Sequence, residues 1–98
     1  MNILIKIQTN SELISYEAIS LAFVLASFDH KIQLMLGINS RSLFLDKGTR
    51  IYGMIQSLDL YDLPQAWVDF DVSDVDVLQN TQKVDILNLQ NFDSILEF

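Results

Sequence analysis

No cysteine occurs among these 98 residues, and that absence alone removes several chemistries. Disulfides, thiolate metal sites, a cysteine nucleophile and a persulfide carrier all require a thiol. Histidine is nearly as scarce. The only one, His30, follows a helical stretch, where a cation is favoured by the carbonyl end of the helix dipole. A capping role is expected there, because no local motif supplies the nucleophile and orienting acid that a catalytic histidine uses. Glycine is confined to Gly37, Gly48 and Gly53, which never cluster, so no phosphate-cradling loop can be drawn. Bases are few as well. Six Lys and Arg stand against thirteen Asp and Glu, a formal charge of −7. Glu12, Glu17, Asp29 and Asp46 are offset by Lys6, Lys31, Arg41 and Lys47, so residues 1–49 are neutral and residues 50–98 hold the excess. A phosphate backbone would be repelled by that half, and no basic patch is interleaved with aromatics; direct nucleic-acid binding is not expected. The longest unbroken apolar run, Leu21–Ala26, is far too short to cross a bilayer. Met1-Asn2-Ile3-Leu4 lacks the basic lead of a signal peptide, so a soluble, cytoplasmic protein with no membrane partner is the expectation.

What the chain has in quantity is apolar surface. Half of its residues are hydrophobic, whereas globular domains reach about 45–50% only with glycine included. A chain this short forms a single domain, 1–98, that buries only about 60–65% of the surface its unfolded form exposes. Some of that surface should therefore face a partner, and an oligomer or complex subunit is expected.

The elements alternate. Asn2–Gln8 places Ile3, Ile5 and Ile7 on one face, a strand period. Thr9-Asn10-Ser11 offers N-caps, and Glu12 suits a first helical turn. Leu13–Phe28 reads as a helix whose polar stripe (Glu17, Ser20, Ser27) is narrow. A helix on a sheet hides one face and wets the other; here the second face is apolar too, which makes this helix the first candidate for subunit contact. Lys31–Leu36 reads as a second strand. The connector 38–48 carries an apolar knot, Leu43-Phe44-Leu45, at a strand's C-terminal end, where open α/β folds place sites; a lid over the core is an equal reading of it. Thr49 caps a helix over 50–60 with Ile51, Met54, Ile55 and Leu58 on its core face. Pro64 stops that unit by holding Leu63 extended. Ala66–Phe70, Val84–Leu87 and Phe92–Phe98 read as further strands, with 71–79 a short helix or a loop. The order predicts an α/β fold with a mostly parallel sheet of about five strands and right-handed crossovers.

Two groups of residues could carry more than structure. Asp69, Asp71, Asp74 and Asp76 form the densest acidic run. Alternate carboxylates can hold a hard cation, yet the turn glycine and terminal Glu of a calcium loop are missing. A solvated loop or a docking surface for a basic partner is the plainer reading. Trp67 fits a core strand, or an interface anchor if exposed. A phospho-receiver domain would need paired acids after the first strand, where Gln8-Thr9-Asn10 stand.

Two stretches carry a resemblance. Leu58–Val68, with the core Leu-Tyr-Asp-Leu-Pro-Gln-Ala-Trp-Val, and the ending Asn91-Phe92-Asp93-Ser94-Ile95-Leu96-Glu97-Phe98 resemble the DsrE/DsrF-like family, in particular its TusC/DsrF branch. The resemblance implies a flavodoxin-like three-layer sandwich that assembles with paralogues into a hexamer. Such complexes relay persulfide sulfur toward tRNA 2-thiouridine synthesis or serve sulfur oxidation. The catalytic paralogue keeps its cysteine at the end of the third strand, a position that falls here on Asp69 or a neighbour. A cysteine-free chain would then be a non-catalytic structural or regulatory subunit, without cofactor or metal, contributing apolar surface. Ile14, Leu21, Phe44, Tyr61, Trp67 and Phe98 are the expected contact residues, and the Leu43–Leu45 knot a cover for a partner's sulfur site. Two departures from the branch, a shorter chain and only Asn88–Asn91 in place of its last helix, leave a homo-oligomer as well as a hetero-oligomer open. A homo-oligomeric small-ligand or metal-binding protein of the same fold, using 38–48 and the acidic run, is the alternative.

Overall fold

A computed structural model describes residues 1–84 and 91–98 of the chain. Strand β1 (Asn2–Ile7) leads into helix α1 (Glu12–Ser27) and strand β2 (Lys31–Leu36). A run of 3₁₀ turns (Ile38–Leu45), helix α2 (Arg50–Gln56) and a further 3₁₀ turn (Leu58–Tyr61) precede β3 (Trp67–Val68). A last 3₁₀ turn (Asp76–Leu78) leads to β4 (Gln82–Lys83), and β5 (Ser94–Glu97) completes the described elements. The five strands form one sheet in the order β4-β3-β2-β1-β5, every neighbouring pair parallel. The expected α/β class and parallel five-stranded sheet are thus observed.

This order has a consequence for the layers. From β1 to β4 each strand is added on the same side of its predecessor, so right-handed crossovers put α1 and α2 on one face of the sheet. Strand periodicity fills that face: Ile3, Ile5 and Ile7 of β1 and Ile32, Leu34 and Leu36 of β2 share one core with Ala18, Ile19, Ala22, Ile51 and Ile55. Leu4 and Met35 point the other way and are also fully buried. On this second face Trp67 meets Phe92 edge-on, with ring centroids 5.7 Å apart. Gln33, buried beside them in the strand register, donates from Nε2 to the carbonyls of Leu34 and Gln65, each at 2.9 Å.

Local signals act as their chemistry dictates. Ser11 Oγ accepts from the Ile14 N–H at 3.3 Å and Thr49 Oγ1 from the Tyr52 N–H at 3.3 Å, capping the two helices. The end of α1 is closed by Asp29 in the left-handed region (φ 67), with the His30 N–H bonded to the Leu25 carbonyl, a Schellman arrangement. His30 caps through this backbone N–H; its Nδ1 lies 3.4 Å from the amino terminus instead of on the helix carbonyls. The helix expected over 50–60 divides at Ser57, whose N–H bonds to the Met54 carbonyl at 3.1 Å and whose Oγ donates to the Gly53 carbonyl at 2.9 Å. A second Schellman closure, at Asp62 (φ 61) and Leu63, ends the 3₁₀ turn that follows. The third strand is only Trp67–Val68, where Ala66–Phe70 was expected. The fourth pairs at Gln82–Lys83, ahead of the expected Val84–Leu87; Val84 still donates to the Val68 carbonyl, and Asp85–Leu87, like most of Asn88–Asn91, lies outside the described residues.

Helix α1 departs from an ordinary amphipathic helix in which side of it is large. Its buried face is Ser15, Ala18, Ile19 and Ala22, mostly small residues that bring the helix close to the sheet. Tyr16, Leu21, Phe23 and Leu25 pack partly buried against the core, but three bulky residues face outward: Leu13 is 66% exposed, Val24 51% and Phe28, the C-cap, 69%. Close approach has a cost at Ser15, whose Oγ is buried without a hydrogen-bond partner. Ser15→Ala should therefore stabilise the fold by about 1–2 kcal/mol, since an unpaired buried hydroxyl carries its desolvation penalty uncompensated. A higher urea midpoint at unchanged m-value is the expected result, and a lower midpoint would contradict this account of the packing.

Candidate functional site

Parallel α/β sheets put their working residues at the C-terminal ends of the strands. At that end β1 runs into Gln8, whose N–H donates to the Phe98 carbonyl at 2.6 Å. β2 runs into Gly37, whose N–H reaches the Ile7 carbonyl at 2.8 Å. A Cβ on Gly37 would collide with the side-chain amide of Gln8, so glycine here lets Gln8 lie across the strand ends. Ser40, fully buried, donates from Oγ to the Gly37 carbonyl at 2.7 Å. β3 runs into Asp69, whose Oδ1 is buried with no partner. A carboxylate oxygen in that state is a poor structural element.

Beyond Asp69 the acidic run divides into separate local tasks. Asp71 Oδ1 accepts from the Ser73 N–H at 3.0 Å, and Gln79 Nε2 braces the same loop through the Val72 and Val75 carbonyls. Asp74 pairs with Arg41, tying the loop to the 3₁₀ run over 38–45. Among the described residues no three acids or histidines converge into a group able to hold a metal. The hydrogen bond from the Ser73 backbone holds the Asp71 carboxyl below its ordinary 3.8, and the Arg41 guanidinium does the same for Asp74. Depressed folded-state values mean that these contacts contribute above pH 3.8 and are lost as the pH falls through the lower folded values. Arg41→Ala should return Asp74 toward 3.8 in a carboxyl-carbon NMR titration and leave Asp71 nearly unmoved. Equal movement of both would place the cause elsewhere.

The expected contact residues separate into groups. Tyr16 and Phe23, two turns apart on α1, face α2: Arg50 lies over the Tyr16 ring at 5.4 Å, and Phe23 stacks on Tyr61 with centroids 4.2 Å apart. Ile14, Leu21 and Phe28 share the opposite flank by the same spacing. Leu96 of β5 and Phe98 beyond it pack partly buried against the core. Tyr61 thus lies on the α2 flank of α1, Ile14 and Leu21 on its opposite flank, and Trp67 behind the sheet. Phe44 must be corrected. It is 1% exposed and sits within the subunit's own core, because the 3₁₀ path turns the middle residue of the knot inward and leaves Leu45 half exposed. It therefore neither contacts a partner nor covers a partner's site.

Leu13 and Val24, central to the exposed face of α1, were not singled out from sequence. The signal for them was present in the small residues Ser15, Ala18 and Ala22, whose helical spacing marks the buried side. No helix among the described residues is long and apolar enough to cross a membrane.

In fold the chain is similar to the crystal structure of the ychN protein from E. coli, with a TM-score of 0.69 over 99% of this chain and 97% of that one, at 15% sequence identity. No protein-family model and no curated protein sequence matches it.

Proposed function

We propose that this chain is a non-catalytic structural or regulatory subunit of a sulfur-relay assembly, of the TusC/DsrF kind, acting in the cytoplasm on persulfide traffic for tRNA 2-thiouridine synthesis or sulfur oxidation. The observation that carries the subunit role is the apolar surface left uncovered on α1, with Ser15, Ala18, Ile19 and Ala22 inward and Leu13, Val24 and Phe28 outward. A monomer gains nothing from that arrangement, whereas a neighbouring subunit would bury it. The sulfur-relay setting is supported by the resemblance of Leu58–Val68 and Asn91–Phe98 and by the fold shared with ychN, which is of the DsrE/TusC-like type.

Asp69 gives the reading its chemistry. Persulfide transfer needs a thiolate to accept sulfane sulfur, and a carboxylate at the strand end accepts none. This subunit would shape and seal the assembly and leave the transfer to a cysteine-bearing paralogue. Partners are paralogues or further copies of the chain, a hexamer being the stoichiometry the family resemblance implies. Native mass spectrometry after co-expression with the proteins of its genomic neighbours tests the proposal. A discrete hetero- or homo-oligomer is the expected species. A monomer that captures no paralogue would remove the basis for the assignment.

A further inference from the structure

At the end of the sheet away from Asp69, the structure forms a groove of about 460 Å³ between α2, the 3₁₀ turn 58–61 and the 3₁₀ turn 76–78. That volume is in the range of small-molecule sites, about 300–1,000 Å³. The groove opens at the N-terminal ends of β3 and β4, since Ala66 and Thr81, which immediately precede those strands, line it. It is independent of the proposed sulfur-relay role and shares no residue with the strand-end site.

Its floor is apolar and fixed. Leu58, Leu63 and Ala66 are all buried, and the Leu63 N–H bonds back to the Leu58 carbonyl at 3.0 Å. The wall at Gln65 is held from behind by the buried Gln33 amide, and the wall at Thr81 by its Oγ1 donating to the Leu78 carbonyl at 2.5 Å. The concavity is therefore built from anchored backbone and not left by loose side chains. Its rim carries the amides of Gln56 and Asn80 and two charges, Asp59 and Asp76, with no base among the lining residues. Among the described residues neither carboxylate has an ion-pair or side-chain hydrogen-bond partner, the one ion pair being Arg41 with Asp74.

We propose that this groove binds an organic ammonium group carried on an alkyl stem. The methylene stem would lie over Leu58 and Leu63, themselves only 5% and 6% exposed, and would remove chiefly its own apolar surface from water, while the ammonium sits at the rim. There Asp59 and Asp76 supply charge-assisted acceptors, and the carboxamide oxygens of Gln56 and Asn80 take remaining N–H donors. Anions are rejected by the two carboxylates and by the chain's −7 charge. Neutral alcohols lose the charge term. A free amine and a lysine side chain present the same chemistry to this groove.

Amide correlation NMR of the full chain, titrated at constant ionic strength, tests the assignment with n-pentylamine, n-pentanol, pentanoate and N-acetyl-lysine methylamide. Saturable shifts at Leu58, Asp59, Ala66, Val77 and Thr81 are expected with the amine. The lysine derivative separates the two sources: binding as tight as the amine points to a lysine of a partner, and weaker binding points to a free amine. Asp59→Asn with Asp76→Asn should weaken n-pentylamine at least about tenfold, equivalent to one charge-assisted contact, and the same spectra report whether the variant is folded. Asp71→Asn, outside the groove, should bind as the parent does. Pentanol binding as tightly as pentylamine, undiminished amine binding by the double variant, or shifts centred on Asp69–Asp74 would each overturn the proposal.

Discussion

Lysine at both Leu13 and Val24 is expected to release the protein from the proposed assembly and leave its fold unchanged. Both side chains point away from the sheet, at 66% and 51% exposure, and lie three turns apart on one face of α1. Neither belongs to the core, so substitution should shift the unfolding midpoint little, and lysine keeps good helix propensity. In an interface the same positions become desolvated anchors. Fully burying a Leu or Val side chain is worth about 1.5–3 kcal/mol, and an ammonium forced into that contact adds a desolvation cost. Together the two changes should raise the subunit dissociation constant at least about a thousandfold. Light scattering coupled to size exclusion reads the mass and circular dichroism reads the helix. An assembly of unchanged mass in the double variant would exclude this face of α1 from the contact.

The second large effect is internal. Phe44→Ala should cost about 3–5 kcal/mol, a large share of the roughly 5–15 kcal/mol that holds a domain of this size together. Much of the population should then be unfolded at 37 °C. Leu45→Ala, next in sequence but 50% exposed, should cost no more than about 1 kcal/mol. Paired urea melts measure the contrast directly. Equal losses at the two positions would show that the knot packs as a unit and that Phe44 is not its buried member.

The two experiments also separate assembly from stability in the resemblance-based reading. Phe44 was expected at a contact, and its burial moves it from recognition to folding. Ile14 and Leu21 remain on one flank of α1, and Phe98 follows the edge strand β5. An edge strand exposes unpaired backbone groups and invites a neighbour; Asp93 and Glu97 flank this one and disfavour indiscriminate pairing.

Strand and helix periods were legible wherever one face met a core. Ile3, Ile5 and Ile7 recur at two residues, Ile51 and Ile55 at one turn, and Ser11 and Thr49 carry the oxygens that cap the helices, so β1, α1, β2 and α2 could be placed from sequence. The short strands could not. β3 and β4 are two residues each, too brief for a period to register, and their extent is set by pairing, β3 with β2 and β4 with β3. Asp29 and Asp62 at positive φ were equally illegible, since glycine is the usual signal for that closure.

The Leu58–Phe70 stretch shows the same division. By itself it specified a helix end, a stop at Pro64 and an apolar strand carrying Trp67. It could not specify that Leu58, Leu63 and Ala66 would become the floor of an acidic-rimmed groove, or that Asp69 would bury an oxygen without a partner. Composition alone determined that this protein holds no sulfur on a thiol of its own and that it carries more apolar residues than a chain of this length readily buries. Tertiary structure decided which of them remain outside. A helix must seat small residues to approach a sheet closely, so Ser15, Ala18 and Ala22 went in, and Leu13, Val24 and Phe28 were left for whatever covers them.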